Sequence, residues 1–149
     1  MVTRSVIRSY EDFEAFQRAM ALLKPIHTLA LKFPEYERYD LTSQTRRSSK
    51  SVPTNIAEGY GKRRSARHFK SYLENSIGSA NEMVVHLQVA QCLEYVTREE
   101  TDPLIAEYRV VGRMLVRLME KWQSYDGADS TVGRRLRRPL AVRPLTSDF

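Results

Sequence analysis

Between Thr97 and Trp122 the sequence places apolar residues at alternating intervals of four and three: Leu104, Tyr108, Val111, Leu115, Leu118 and Trp122. That spacing keeps one face of an α-helix apolar over its whole length. A half-buried strand needs strict alternation instead, and no stretch of the chain supplies it convincingly. A helix with such a stripe is only marginally stable alone and must bury the stripe against other elements. Thr97 with Glu100 forms a capping box and Pro103 suits a first helical turn, so this helix has a defined start, and it is predicted to end near Trp122 or Gln123.

Three further helical patterns precede it. Ser9 with Asp12 resembles a capping box ahead of Phe13, Phe16, Met20, Leu23, Ala30 and Leu31, which predicts a first helix with a kink near Ala21–Pro25 and with His27 as a buried, hydrogen-bonded core histidine. Residues 33–39 contain Pro34 and several aromatics and read as a loop. Asp40 is then the expected N-cap of a second helix. Its Leu41, Thr45, Ser48, Val52 and Ile56 fall in a narrow arc, and Arg46, Arg47 and Lys50 project from the opposite side. Pro53 removes one internal hydrogen bond, so this helix bends or restarts there, and Gly59 and Gly61 are expected to end it. A third helix is expected from about Ser65 to about Val96, with its stripe on Phe69, Tyr72, Leu73, Ile77, Ala80, Met83, Val84, Leu87, Ala90 and Leu93. Its small residues Ser76, Gly78, Ser79 and Ala80 would let a neighbouring helix approach closely. Four long amphipathic helices joined by short loops predict an all-α, up-and-down antiparallel four-helix bundle over residues 1–123. Residues 124–149 lose the pattern and carry Arg134, Arg135, Arg137, Arg138 and Arg143 among glycines and prolines, which reads as a flexible basic tail.

No run of eighteen apolar residues occurs, and the start of the chain lacks a signal-peptide pattern, so a cytoplasmic location without membrane partners is expected. The lone Cys92 has no partner for a disulfide or a zinc site and reads as a small core residue. Glu82 and His86 share a helix face with no evident third ligand, and the chain contains no Glu-x-x-His, so no metal is expected. Gly59-Tyr60-Gly61-Lys62 fails as a phosphate loop because its first glycine is misplaced and a helix precedes it. No serine or histidine lies in a nucleophile context, so neither catalytic residues nor a cofactor are expected.

Charge is the remaining signal. The formal net charge is +6, and from Thr42 to Lys70 eight basic residues face a single acid, Glu58. Arg46, Arg47 and Lys50 form one patch; Lys62, Arg63, Arg64, Arg67 and Lys70 form another at the start of the third helix, whose dipole also attracts phosphate. The bland reading is a solvated face that keeps the protein soluble; the functional one is a surface for RNA or DNA. Tyr36 and Tyr60 are placed either to stack on unpaired bases or to pack on their own domain.

Phe33-Pro34, Leu41-Thr42-Ser43-Gln44 with Arg46-Arg47, the run Ser51-Val52-Pro53-Thr54-Asn55-Ile56-Ala57-Glu58-Gly59, and Gly78-Ser79 together resemble the bacterial four-helix-bundle proteins first noticed as reading frames in intervening sequences of large-subunit ribosomal RNA genes. The resemblance spans about Tyr10 to Trp122. It implies a bundle that assembles into a pentameric ring, with no known enzymatic activity. Related bundles accompany the reverse transcriptases of diversity-generating retroelements, so an adaptor for a reverse transcriptase is the alternative to direct nucleic-acid binding. In its light Pro53, Asn55, Glu58 and Gly59 are expected to be structural, with Asn55 and Glu58 buttressing the Pro53 bend and the Gly59 exit.

Overall fold

A computed structural model describes residues 6–122; the basic segment 124–149 lies outside them. Four α-helices carry the architecture: α1 (Glu14–Ala30), α2 (Leu41–Gly61), α3 (Ala66–Cys92) and α4 (Arg98–Lys121). Each packs against its chain neighbours and α1 closes the ring on α4, so α1 and α3 occupy opposite corners of the bundle, as do α2 and α4. The described residues contain no strand.

The second and fourth helices follow their sequence patterns. Leu41, Thr45, Ser48, Val52 and Ile56 are all buried, as are Tyr108, Val111, Leu115, Leu118 and Trp122. Thr97 and Glu100 form the reciprocal capping box of α4. Two prolines that threatened breaks do not interrupt their helices: α1 runs through Pro25 and α2 through Pro53. Around Pro53, side chains serve three successive carbonyls. Thr54 Oγ1 donates to the Lys50 carbonyl at 2.8 Å, Asn55 Nδ2 to that of Ser51 at 2.9 Å, and Ser76 Oγ, from α3, to that of Val52 at 2.7 Å. These bonds brace the turn before Pro53, although none reaches the Ser49 carbonyl that the missing N–H would have bonded.

Elsewhere the structure corrects the sequence expectations. The Ser9–Asp12 capping box is present, but it closes a separate 3₁₀ turn over Tyr10–Asp12, and Phe13 is extended before α1 begins. The buried face of α1 is Ala15, Ala19, Leu22, Ile26, Leu29 and Ala30; of the expected stripe Phe13 and Ala30 are buried, Phe16 and Leu23 half-buried, and Met20 and Leu31 exposed at 46% and 83%. His27 is half-buried rather than buried, with Nε2 3.3 Å from Ser49 Oγ. Asp40 makes no side-chain cap on α2; Glu37 Oε2 accepts the Leu41 N–H at 3.0 Å instead. Helix α3 stops at Cys92 because Glu94 turns to φ 60 and the Tyr95 N–H bonds back to the Ala90 carbonyl at 2.9 Å. Cys92, expected as a core residue, lies off the buried face of α3 and is exposed.

The glycines exchange roles. Gly78 has open space where a Cβ would stand, so no helix approaches it within the described chain. Gly59 does not end α2 but lies inside it, and a Cβ there would fall 2.6 Å from Tyr72 Cβ and 2.9 Å from Phe69 Cδ2. The close approach of α2 and α3 therefore depends on Gly59.

Candidate functional site

The expected cationic residues occupy two places. Arg46, Arg47 and Lys50 are exposed on the outer side of α2 because its other side carries the buried arc. Lys62, Arg63, Arg64 and Arg67 are exposed around the α2–α3 turn, and Lys70 is half-buried on the first turns of α3. Twelve helical residues separate Lys50 from Lys62, a rise of about 18 Å, so the patches do not merge within one chain. Glu58, exposed between them, draws on the charge of Lys62.

Local chemistry fixes several of these side chains. Lys62 Nζ donates to the Tyr72 hydroxyl at 2.7 Å and lies 4.8 Å from that ring's centre. Arg63 stacks 4.3 Å above Tyr60 and donates to the Tyr60 carbonyl at 3.1 Å. Both keep an exposed positive charge while losing some of the rotamer freedom that ligand binding would otherwise remove. Ser65 caps α3 by accepting the His68 N–H at 3.3 Å. On α2, Arg46 and Lys50 flank His27 of α1; burial, then Lys50 and Arg46, hold its imidazole below the ordinary 6.5.

The two tyrosines part company. Tyr60 packs edge-on against Phe13, Phe69 and Tyr10, which engages its ring within the protein. Tyr36 is 76% exposed, but its hydroxyl is 3.0 Å from that of Tyr95 beside the α3–α4 turn, at the other end of the bundle from Lys62–Lys70. Glu82 and His86 do meet, with His86 Nε2 3.4 Å from Glu82 Oε1 and 3.4 Å from Ser48 Oγ. Among the described residues no three His, Cys, Asp or Glu side chains gather as a metal site would require, and no helix is long and apolar enough to cross a membrane.

Two surface features escaped the sequence reading. Arg109, Arg113 and Arg117 recur every four residues along α4 and line a groove with α3; scattered acids masked this row as mixed charge, yet its regular spacing is visible in the sequence. Apolar residues also face outward on two opposite corners: Phe16, Met20 and Leu23 line a hollow between α1 and α2, and Val85, Val89 and Leu93 form an exposed row on α3.

The family model described as 23S rRNA-intervening sequence protein matches residues 11–117, which include every helix except the last turn of α4. Among solved structures, the chain is similar to a protein of unknown function from the S23 ribosomal protein family of Bacteroides thetaiotaomicron, with a TM-score of 0.64 and 20% identity over 71% of this chain and 95% of that one. At that identity the likeness establishes the fold alone. No curated protein matches.

Proposed function

The chain belongs to the 23S rRNA-intervening sequence protein family, and from that premise we propose that it is a non-enzymatic protein that assembles into a ring and binds RNA or DNA through its basic surface. The observation that carries the reading is the concentration of Arg46, Arg47, Lys50, Lys62, Arg63, Arg64, Arg67 and Lys70 on exposed or half-buried positions with Glu58 as the sole acid among them. Within one chain these residues form two separate patches of modest strength. Repetition around a ring multiplies weak phosphate contacts into useful avidity.

The outward apolar faces support assembly. Those of α1 and α3 lie at opposite corners of the bundle. A contact between the α1 face of one copy and the α3 face of the next joins two different surfaces, and such head-to-tail contacts close into rings when the rotation permits. The family resemblance read from the sequence sets the expected number at five. Light scattering on the purified protein tests the ring, and titration of a labelled RNA or DNA duplex at several salt concentrations tests binding. A monomer at micromolar concentration overturns the first. Absence of binding at about 50 mM salt, or binding indifferent to joint charge reversal at Arg46, Arg47, Arg63 and Arg64, overturns the second.

A further inference from the structure

We infer that the groove between α3 and α4 is a track for the sugar–phosphate backbone of nucleic acid, continuing the cationic α2–α3 turn along a face of the bundle away from Arg46, Arg47 and Lys50. It rests on the nucleic-acid reading above and locates where the strand runs. The groove, of about 490 Å³, is lined by Ile77 and Asn81 from α3 and by Arg109, Gly112, Arg113 and Arg117 from α4. Four-residue steps put the three guanidinium groups in a row about 12 Å long. The strand winds around the duplex axis, so its successive phosphates stand farther apart along the backbone than their rise along the axis, and the row faces about two or three of them. Among the described residues lining the groove, Glu120 is the one acid beside the three arginines. Arg113 and Arg117 also interact with other groups of the protein.

Two further observations point the same way. A Cβ on Gly112 would meet nothing within 4 Å among the described residues, so no packing among them requires the glycine, although mid-helix glycine costs about 1 kcal/mol relative to alanine. Its absent side chain keeps the floor open to close approach. Among the described residues no aromatic lines the groove, so they offer bases no stacking platform there and recognition falls on the backbone, without sequence preference. Continuity with the turn follows from Trp122 at the end of α4: its indole N–H reaches the Arg63 carbonyl at 3.4 Å and its ring centre is 4.5 Å from that of Phe69. The α4 row thus runs away from the bundle end that carries Lys62, Arg63, Arg64 and Arg67. Helix α2, with Arg46, Arg47 and Lys50, occupies the corner opposite α4.

The test is fluorescence anisotropy with a short labelled RNA duplex across a salt series, comparing the wild type with Arg109→Glu/Arg113→Glu. The control is Arg38→Glu/Arg98→Glu, which changes net charge equally at the other end of the bundle. The groove variant should bind at least about tenfold more weakly than the control, with the salt slope reduced by about two. Arg109→Gln, a milder change, should show a smaller loss in the same direction, and thermal melting verifies that each variant is folded. Wild-type binding that survives in folded groove variants at the control's level overturns the groove and leaves the nucleic-acid reading standing. Absence of wild-type binding even at low salt overturns both. Poly-glutamate binding that depends on Arg109 and Arg113, with duplex binding unchanged in the variants, overturns the groove as a nucleic-acid track in favour of an acidic protein partner.

Discussion

Gly59→Ala isolates the closest contact in the bundle. The added Cβ would stand 2.6 Å from Tyr72 Cβ and 2.9 Å from Phe69 Cδ2, whereas carbon atoms rest at about 3.5–4.0 Å. Tyr72 Cβ is bound to the backbone of α3 and cannot swing away, and Phe69 is fully buried beside Trp122. Relief therefore requires α2 and α3 to part by about 1 Å at this level. Overpacking of this kind costs up to about 3 kcal/mol, offset by the roughly 1 kcal/mol that alanine gains over glycine in a helix. The expected net loss is about 2 kcal/mol, or about 8 °C in melting temperature for a domain of this size. Gly78→Ala is the matched comparison, because its Cβ meets nothing within 4 Å; it should gain about 1 kcal/mol and melt about 4 °C higher. Differential scanning calorimetry or urea unfolding of the two variants decides the matter. A Gly59→Ala protein as stable as the wild type would refute the close-approach reasoning.

Three other outcomes are expected. Met20→Glu, which charges the outward face of α1 without touching the core, should lower the mass measured by light scattering toward that of one chain while leaving the helical circular dichroism intact. Tyr108 is buried, its hydroxyl has no hydrogen-bond partner among the described residues, and burial pushes its ionisation upward; Tyr108→Phe should leave stability unchanged or raise it by about 1 kcal/mol in chemical denaturation. His27 has its proton affinity lowered in the folded state, so the unfolded chain takes up the proton first. Its contribution is complete above about pH 6.5 and is lost as pH falls below that value. Melting temperatures measured from about pH 7.5 to about pH 5 should therefore fall less steeply for His27→Gln than for the wild type.

Where one apolar arc faces one polar arc, as on α2 and α4, the expected residues lie on the buried face, Leu104 only half-buried, while Ser49, Pro53, Ile105 and Met114 widen that face beyond the expected arcs. Helix α1 offered two interleaved arcs. Bulky Phe16, Met20 and Leu23 outweigh Ala15 and Ala19 in any reading of hydrophobicity, but the small alanines allow close packing and the bulky residues are left on the outside. Which glycine serves packing depends on neighbours distant in sequence, so Gly59 and Gly78 could not be told apart from their own surroundings. The stop of α3 turns on a left-handed Glu94, a residue type with no special preference for that conformation. The α2 and α2–α3 cations were legible because they cluster in sequence, whereas the four-residue spacing of Arg109, Arg113 and Arg117, though present in the sequence, lies on a helix whose acids give it a mixed charge that hides the row.

The aromatic contacts at the α2–α3 end bear on how the molecule forms. Phe13 sits just before α1, Tyr60 lies on α2, Phe69 on α3, and Trp122 follows α4; Phe13 touches the other three rings. All four helices thus meet in one cluster whose members come from both extremes of the described chain. Contacts this distant in sequence form only after a large loss of chain entropy. Helices α2 and α3 can pair early, but their shared end stays open until Trp122 has been synthesised and docked. Closure at that end therefore waits on the last helix: a chain interrupted before Trp122 would keep the local contacts of Lys62 with Tyr72 and of Arg63 with Tyr60 but lack the ring that packs on Phe13 and Phe69 and the bond to the Arg63 carbonyl.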